Sequence, residues 1–170
     1  NHLVKNSIEP NYIIGDLDSI EDNLKSKYED RVIELSDQNE NDLRKAIKWA
    51  EDIGARATSI LGATGKRDDH NLANIVALLQ YPCQLKMTMF TNYGIFSVVK
   101  NEQRFDSFKG QQVSLFSTES NIEVTSINLK YNLINNKLTN LYCGSLNESI
   151  NKEFTINISH GQILVYQVYE

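Results

Sequence analysis

The sequence predicts two halves of different texture: an α/β half with a largely parallel sheet flanked by helices, then an all-β half folded as an antiparallel sandwich or barrel. Three observations predict it. From Leu3 to about Phe90, short apolar runs alternate with stretches of helical period. Beyond Phe90 only short β-type runs remain, separated by Asn, Gly and Ser. The change of texture falls on Thr91-Asn92-Tyr93-Gly94, which sets the expected domains at residues 1–92 and 93–170. No low-complexity linker or internal repeat intervenes.

In the first half the expected strands are Tyr12 to Ile14, Arg31 to Leu35, Ala57 to Leu61 and Lys86 to Phe90. A helix is expected from Asn41 to Ile53, where Leu43, Ala46, Ile47, Ala50 and Ile53 share one face and Gly54 stops it. A second is expected over Asp69 to Gln80, with Leu72, Ile75, Val76 and Leu79 on one face and Pro82 beyond its end. Asn1-His2-Leu3-Val4-Lys5 reads as the middle of a helix with neither Met nor cap, so residues are expected to be missing at the front. In the second half the expected strands are 95–99, 112–116, 122–127, 138–142, 154–158 and 163–166.

Ligand sites in parallel sheets lie at the carboxyl ends of the strands, so the loops there matter most. All three are expected to open on one sheet edge. The first is Gly15-Asp16-Leu17-Asp18-Ser19. Two carboxylates one residue apart suit Mg²⁺ held with phosphates, which takes one or two protein carboxylates and keeps waters. A plain turn capping the next helix is the competing account. The second loop runs from Ser36 to Asp42. Asp42 has an alternative role as a helix cap, and Lys45, one turn on, an alternative role as its partner on a solvated face. The third, Gly62-Ala63-Thr64-Gly65-Lys66-Arg67-Asp68-Asp69-His70, enters a helix. Its glycines free backbone N–H groups for an anion and Arg67 can grip phosphate oxygens in two-pronged fashion. It lacks the P-loop spacing, and a tight capped turn also explains it. His70 fits a helix surface better than a base.

Composition excludes several classes. With 41% hydrophobic and 23% charged residues, the 170-residue chain is ordinary for a globular protein. A net charge of -5 argues against nucleic acid or an anionic membrane as the main partner. No apolar run approaches the roughly 20 residues of a membrane span, and no signal peptide is expected, so a cytoplasmic location is expected. Cys83 and Cys143 make neither a disulfide framework nor a metal knuckle and are expected as small buried hydrophobes. Two polar clusters, Asn128 to Leu133 and Gly144 to Glu148, read as hairpin connections, or as amide and hydroxyl groups beside an aromatic that could hold a flat heterocycle.

Taken in order, five stretches resemble the thiamine pyrophosphokinase family. Pro10 to Ser19 is similar to its P-D-x-I-x-G-D-x-D-S segment, and Asp37 to Ala46 to D-x-x-x-T-D-x-x-K-A. Gly62 to His70 resembles G-A-T-G-G-R-x-D-H, continued by Leu72-Ala73-Asn74. Leu129 to Leu133 resembles the family's G-L-K-Y-P-L run, and Gly144 to Glu148 resembles G-x-S-N-E. The resemblance implies a Rossmann-like α/β/α catalytic domain with a mainly parallel sheet, then an antiparallel β-sandwich that binds thiamine. It implies a homodimer with active sites shared between subunits, and transfer of pyrophosphate from ATP to the thiamine hydroxyl with Mg²⁺ as cofactor. By the same resemblance Asp16, Asp18 and Asp42 are the catalytic and metal-holding carboxylates. Ser19, Asp37, Gln38, Thr64, Gly65, Arg67 and Asp69 belong to the ATP and phosphate shell, while Ser145 and Asn147 meet thiamine.

Four departures stand against the family pattern. Asn41 replaces Thr, Lys66 replaces Gly and Leu146 replaces Ser. The family's D-G-A-A-N motif is matched only by Asn1, so its Asp and the first strand are expected upstream. Leu146 and the short front keep open a non-catalytic thiamine- or nucleotide-binding homologue. Another Mg²⁺-dependent nucleotide hydrolase is the remaining alternative.

Overall fold

The computed structural model describes residues 2–37, 39–82 and 84–170. Asn1, read as the last residue of the family's front motif, lies outside them. So do Gln38, expected in the nucleotide shell, and Cys83, expected as a buried hydrophobe. The chain forms two compact units, one ending at Ala55 and the other running from Arg56 to Glu170.

The first unit contains α1 (His2–Lys5), β1 (Ile13–Gly15), α2 (Asp22–Lys27), a 3₁₀ turn (Glu29–Arg31), β2 (Val32–Glu34) and α3 (Asp42–Asp52). β1 and β2 pair in parallel, with Ile13 opposite Val32 and Gly15 opposite Glu34. α3 packs on β1, and the Tyr12 and Trp49 rings meet at 4.6 Å between centroids. Ile47 and Tyr28 are the buried apolar residues here. Burying an Ile or an aromatic of this size contributes about 1.5–3 kcal/mol each. Asn41 begins α3 in extended conformation and its Oδ1 accepts from the Arg44 N–H at 3.0 Å. The replacement of Thr by Asn therefore keeps a competent cap.

The second unit holds β3 (Ala57–Ile60), α4 (Asp68–Gln80), β4 (Lys86–Phe90), β5 (Gly94–Val99), β6 (Gln103–Asp106), β7 (Gln112–Phe116), β8 (Glu123–Ile127), β9 (Asn136–Lys137), β10 (Gly144–Glu148), β11 (Glu153–Ile158) and β12 (Ile163–Val168). A six-stranded sheet runs β10-β7-β12-β5-β4-β3, and a four-stranded sheet runs β6-β11-β8-β9. Their facing side chains form one core that includes Val99, Val113, Leu115 and Val165 from the first sheet and Phe105, Val124, Phe154 and Ile156 from the second. This is the antiparallel sandwich expected of the second half. On the opposite face of the larger sheet, Met87, Met89 and Leu164 are fully buried, and Phe96 and Tyr166 meet at 4.3 Å between ring centroids. α4 lies beside β12. Gln162 Nε2 donates to Leu79 O at 2.7 Å and Tyr81 O at 3.1 Å, satisfying carbonyls that the end of α4 leaves unpaired.

The single, mainly parallel sheet expected for the first half is not what forms. β1–β2 is a two-stranded sheet, while β3 and β4 pair in parallel inside the six-stranded sheet, whose other pairings are antiparallel. Thr91-Asn92-Tyr93-Gly94 explains the mixture. It is a tight turn, with Thr91 Oγ1 accepting from the Gly94 N–H at 3.1 Å, and a connection this short joins only antiparallel neighbours. Three further corrections fall in the sandwich. Gly144 to Glu148 is a strand rather than a hairpin connection, and residues 138–142, expected as a strand, form none, with a turn at 141–143. Cys143 is exposed instead of buried.

Candidate active site

The acidic set is built on the β1–β2 sheet. Parallel pairing sends the loop after β1 and the loop after β2 out at the same edge. Gly15 makes their meeting possible. Its φ is 153°, and a Cβ built there would stand 3.1 Å from Asp42 Oδ1 and 3.3 Å from its Cγ. Only a residue without a side chain lets Asp42 come this close to the end of β1. Leu17 then turns the chain with φ 65°, and Asp16 Oδ1 accepts from the Asp18 N–H at 3.2 Å. Asp16 is half-buried, whereas Asp18 and Ser19 are exposed.

Asp42 opens α3 and faces Lys45 one turn on. The Lys45 side chain is 4% exposed, and its Nζ stands 3.5 Å from Asp42 Oδ1 while the Asp42 side chain remains 61% exposed. Lys45 is therefore not on a solvated face. The peptide N–H of Asn39 holds the Asp37 carboxyl below its ordinary range, helped by the Asn39 amide and the charges of Lys45 and Lys48. A small cavity of about 140 Å³ beside this group is lined by Leu35, Asp37, Lys45, Lys48 and Trp49 among others.

In the second unit the glycine loop leaves the carboxyl end of β3 and is stapled by α4. The Gly65 N–H donates to Asn71 Oδ1 at 3.0 Å and Asn74 Nδ2 donates to Ala63 O at 2.8 Å. One backbone N–H expected to face an anion thus has an internal partner, and φ 103° at Gly65 sets that turn. Thr64 is half-buried within the loop. Arg67 and Asp69 form a two-pronged pair, Nε to Oδ1 at 3.1 Å and Nη2 to Oδ2 at 2.6 Å. The guanidinium holds the Asp69 carboxyl below its ordinary range. Because the pair uses the Nε–Nη2 edge, the Nη1 side of Arg67 remains for an anion. His70 is exposed on α4, as expected.

The expected thiamine contacts differ from one another. Asn147 is buried, and its amide clamps the Tyr131 peptide: Oδ1 accepts from the Tyr131 N–H at 3.0 Å and Nδ2 donates to Tyr131 O at 2.8 Å. This side chain shapes the Leu129 to Leu133 segment from within. Ser145 Oγ donates to Tyr142 O at 2.7 Å. Leu146 sits at a bulge in β10 with φ 59° and points outward, 77% exposed.

Among the described residues, no three His, Cys, Asp or Glu side chains gather closely enough to hold a metal ion by themselves. Asp16, Asp18 and Asp42 nevertheless supply hard oxygen donors at one sheet edge, the donor type of Mg²⁺, which needs one or two protein carboxylates and no full protein cage. The donor set fits that cation. The sequence does not mark Asn71 or the Tyr131 clamp, and it offers the Lys45–Asp42 pair only on a solvated face, not buried. The i, i+3 spacing of Lys45 and Asp42 was visible, but spacing alone does not separate a buried pair from a surface one.

A family model for the thiamin pyrophosphokinase catalytic domain matches residues 1–91, and one for the thiamin pyrophosphokinase substrate-binding domain matches residues 94–166. The chain belongs to the thiamin pyrophosphokinase family. It is 26% identical to thiamine pyrophosphokinase 1 of Oryza sativa subsp. japonica over 181 residues, covering 97% of this chain and 68% of the rice protein. The thiamine pyrophosphokinase structure from Bacillus subtilis aligns with TM-score 0.82 at 22% identity, covering 99% of this chain and 83% of that one. The thiamin pyrophosphokinase of Candida albicans aligns with TM-score 0.72 at 20% identity, covering 96% and 74%. The thiamin pyrophosphokinase fold, with mixed sheets and a C-terminal antiparallel sheet domain, therefore holds for this chain. Among the described residues, no helix is long and apolar enough to cross a membrane.

Proposed function

We propose that this protein is an ATP-dependent thiamine diphosphokinase, which transfers pyrophosphate from ATP to the thiamine hydroxyl and releases AMP. The match of a catalytic-domain model followed by a substrate-binding-domain model along one chain carries this reading. The approach of Asp42 to Gly15, beside the Asp16–Asp18 loop, supports it. Residues 1–92 would carry the catalytic machinery and residues 93–170 the thiamine-binding part. The working form would be a cytoplasmic homodimer with shared sites.

Asp16, Asp18 and Asp42 would hold Mg²⁺, which when bound neutralises charge on the transferred group and the leaving AMP. Arg67 would bind phosphate oxygens through its Nη1 side while Asp69 keeps the guanidinium oriented. Ser19, Asp37, Gln38, Thr64 and Gly65 would complete the nucleotide shell. Asn147 would act by fixing the Tyr131 segment, with Ser145 beside it, so that thiamine is held with its hydroxyl in line. One acidic carboxylate would take the hydroxyl proton. Orientation of this kind supplies much of the rate in phosphoryl-type transfer, where little covalent chemistry falls to the protein.

The test is incubation of the full-length protein with ATP, Mg²⁺ and thiamine, followed by ³¹P NMR and chromatography. AMP and thiamine diphosphate in equal amounts are expected. ADP, or nucleotide cleavage independent of thiamine, would overturn the assignment. Asp18→Asn should abolish turnover with the melting temperature unchanged.

A further inference from the structure

Lysine is seldom fully buried, because removing its ammonium from water is costly without a carboxylate partner. Lys45 is 3% exposed, as buried as Ile47 two residues on, and the carboxylate it meets is Asp42, 3.5 Å away. Asp42 is in turn the carboxylate that Gly15 admits to the end of β1, beside the Asp16–Asp18 loop. A residue serving only to fill the α3 face could be apolar. Here the buried stem ends in a fixed charge against one member of the acidic set, so that three carboxylates stand with one built-in cation.

We infer that Lys45 is the resident counter-ion of Asp42 and lowers the affinity of the acidic set for a free divalent cation, so that the cation is taken up together with a nucleotide's phosphates. The inference rests on the proposed metal role of Asp16, Asp18 and Asp42. A divalent ion binding alone meets the repulsion of the Lys45 ammonium. One arriving with a polyphosphate carries net negative charge and meets an attraction. Asp42 is largely exposed, so water screens the effect to the scale of a surface interaction. That corresponds to about a tenfold change in binding constant, and Lys45 acts through Asp42 without touching the reacting atoms.

The experiment is Mn²⁺ binding to the nucleotide-free, full-length protein, followed by electron paramagnetic resonance, for wild type, Lys45→Met, Asp42→Asn and the double variant. Lys45→Met keeps the stem and removes the charge, and Lys45→Gln serves as a second charge-removing variant should the first fail to fold. The expected result is Mn²⁺ binding about tenfold tighter in Lys45→Met than in wild type. In the Asp42→Asn background the same change should move binding less than twofold. Unchanged or weaker binding in both charge-removing variants overturns the counter-ion role. So does equal tightening with and without Asp42, which would mark a non-specific charge effect. If Asp42→Asn does not weaken Mn²⁺ binding, the metal role of Asp42 fails, a result distinct from failure of Lys45 alone.

Discussion

Gly15→Ala is the perturbation that most directly tests how the acidic set is assembled. The new Cβ would stand 3.1 Å from Asp42 Oδ1 and 3.3 Å from Cγ at a backbone φ of 153°, so it meets both a carboxylate and an unfavourable conformation. Backbone strain of this type costs on the order of 1–3 kcal/mol, while the loss of chain entropy in the unfolded state returns about 0.4–1 kcal/mol. Relief of the contact requires Asp42 to move by a few tenths of an ångström. The net expectation is a destabilisation of about 1–2 kcal/mol, read from urea unfolding midpoints. Misplacement of a group in the site costs turnover on the order of 100-fold, read as kcat at saturating substrates. The double variant Gly15→Ala/Asp42→Ala isolates the contact. Removing the carboxylate should return part of the lost stability, leaving the backbone share. Gly15→Ala with kcat within twofold of wild type would refute the reasoning, as would a double variant no more stable than the sum of the single changes predicts.

Three other perturbations follow from contacts already described. Asn147→Ala leaves the Tyr131 peptide N–H and C=O without their partner. It should destabilise the protein by about 2–3 kcal/mol and raise the KM for thiamine more than that for ATP, checked by thermal melts and steady-state kinetics. Arg67 is the main cause of the low Asp69 pKa, so Arg67→Gln should return the Asp69 titration upward toward the ordinary carboxylate range in NMR. Since the folded pKa lies below the unfolded one, the contribution of this pair to stability is present at neutral pH and is lost as pH falls below the ordinary carboxylate range. The exposed Cys143 thiol is held below its usual pKa chiefly by the Thr139 hydroxyl, and should be labelled by iodoacetamide near pH 8. Thr139→Val should slow that labelling, followed by peptide mass spectrometry.

Much of the fold is legible wherever burial writes a period into the chain. β7 alternates cleanly, with Val113 and Leu115 inward, and α3 carries its apolar stripe from Leu43 to Ala50. What is not legible lacks that signal. β6 has one apolar residue, Phe105, and β9 is two exposed residues long. β10 hides its alternation because the inward residue is Asn147 and the outward one is Leu146, at a bulge with positive φ, the reverse of the usual pattern. The expected strand at 138–142 contains one buried residue, Leu138, followed by turns. Strand direction was also silent, since an apolar run pairs either way and the turn at Thr91 to Gly94 alone fixes β4 against β5. In the site, the carboxylates and Arg67 could be named from composition and order. Lys45 could be named as a partner of Asp42 but not as a buried one, because that depends on which side of α3 is covered.

The β4–β5 hairpin means that the six-stranded sheet continues straight through the place where the two family models abut, residues 91 and 94. Folding and ancestry therefore divide this chain at different points. Residues 56–170 should melt as one cooperative block. A fragment cut near residue 92 would part β4 from β5, leaving β4 paired only with β3 and β5 only with β12, each with a bare edge inviting aggregation. Expression of the sandwich for thiamine binding alone would need to begin before β3, at Arg56, rather than at the family border.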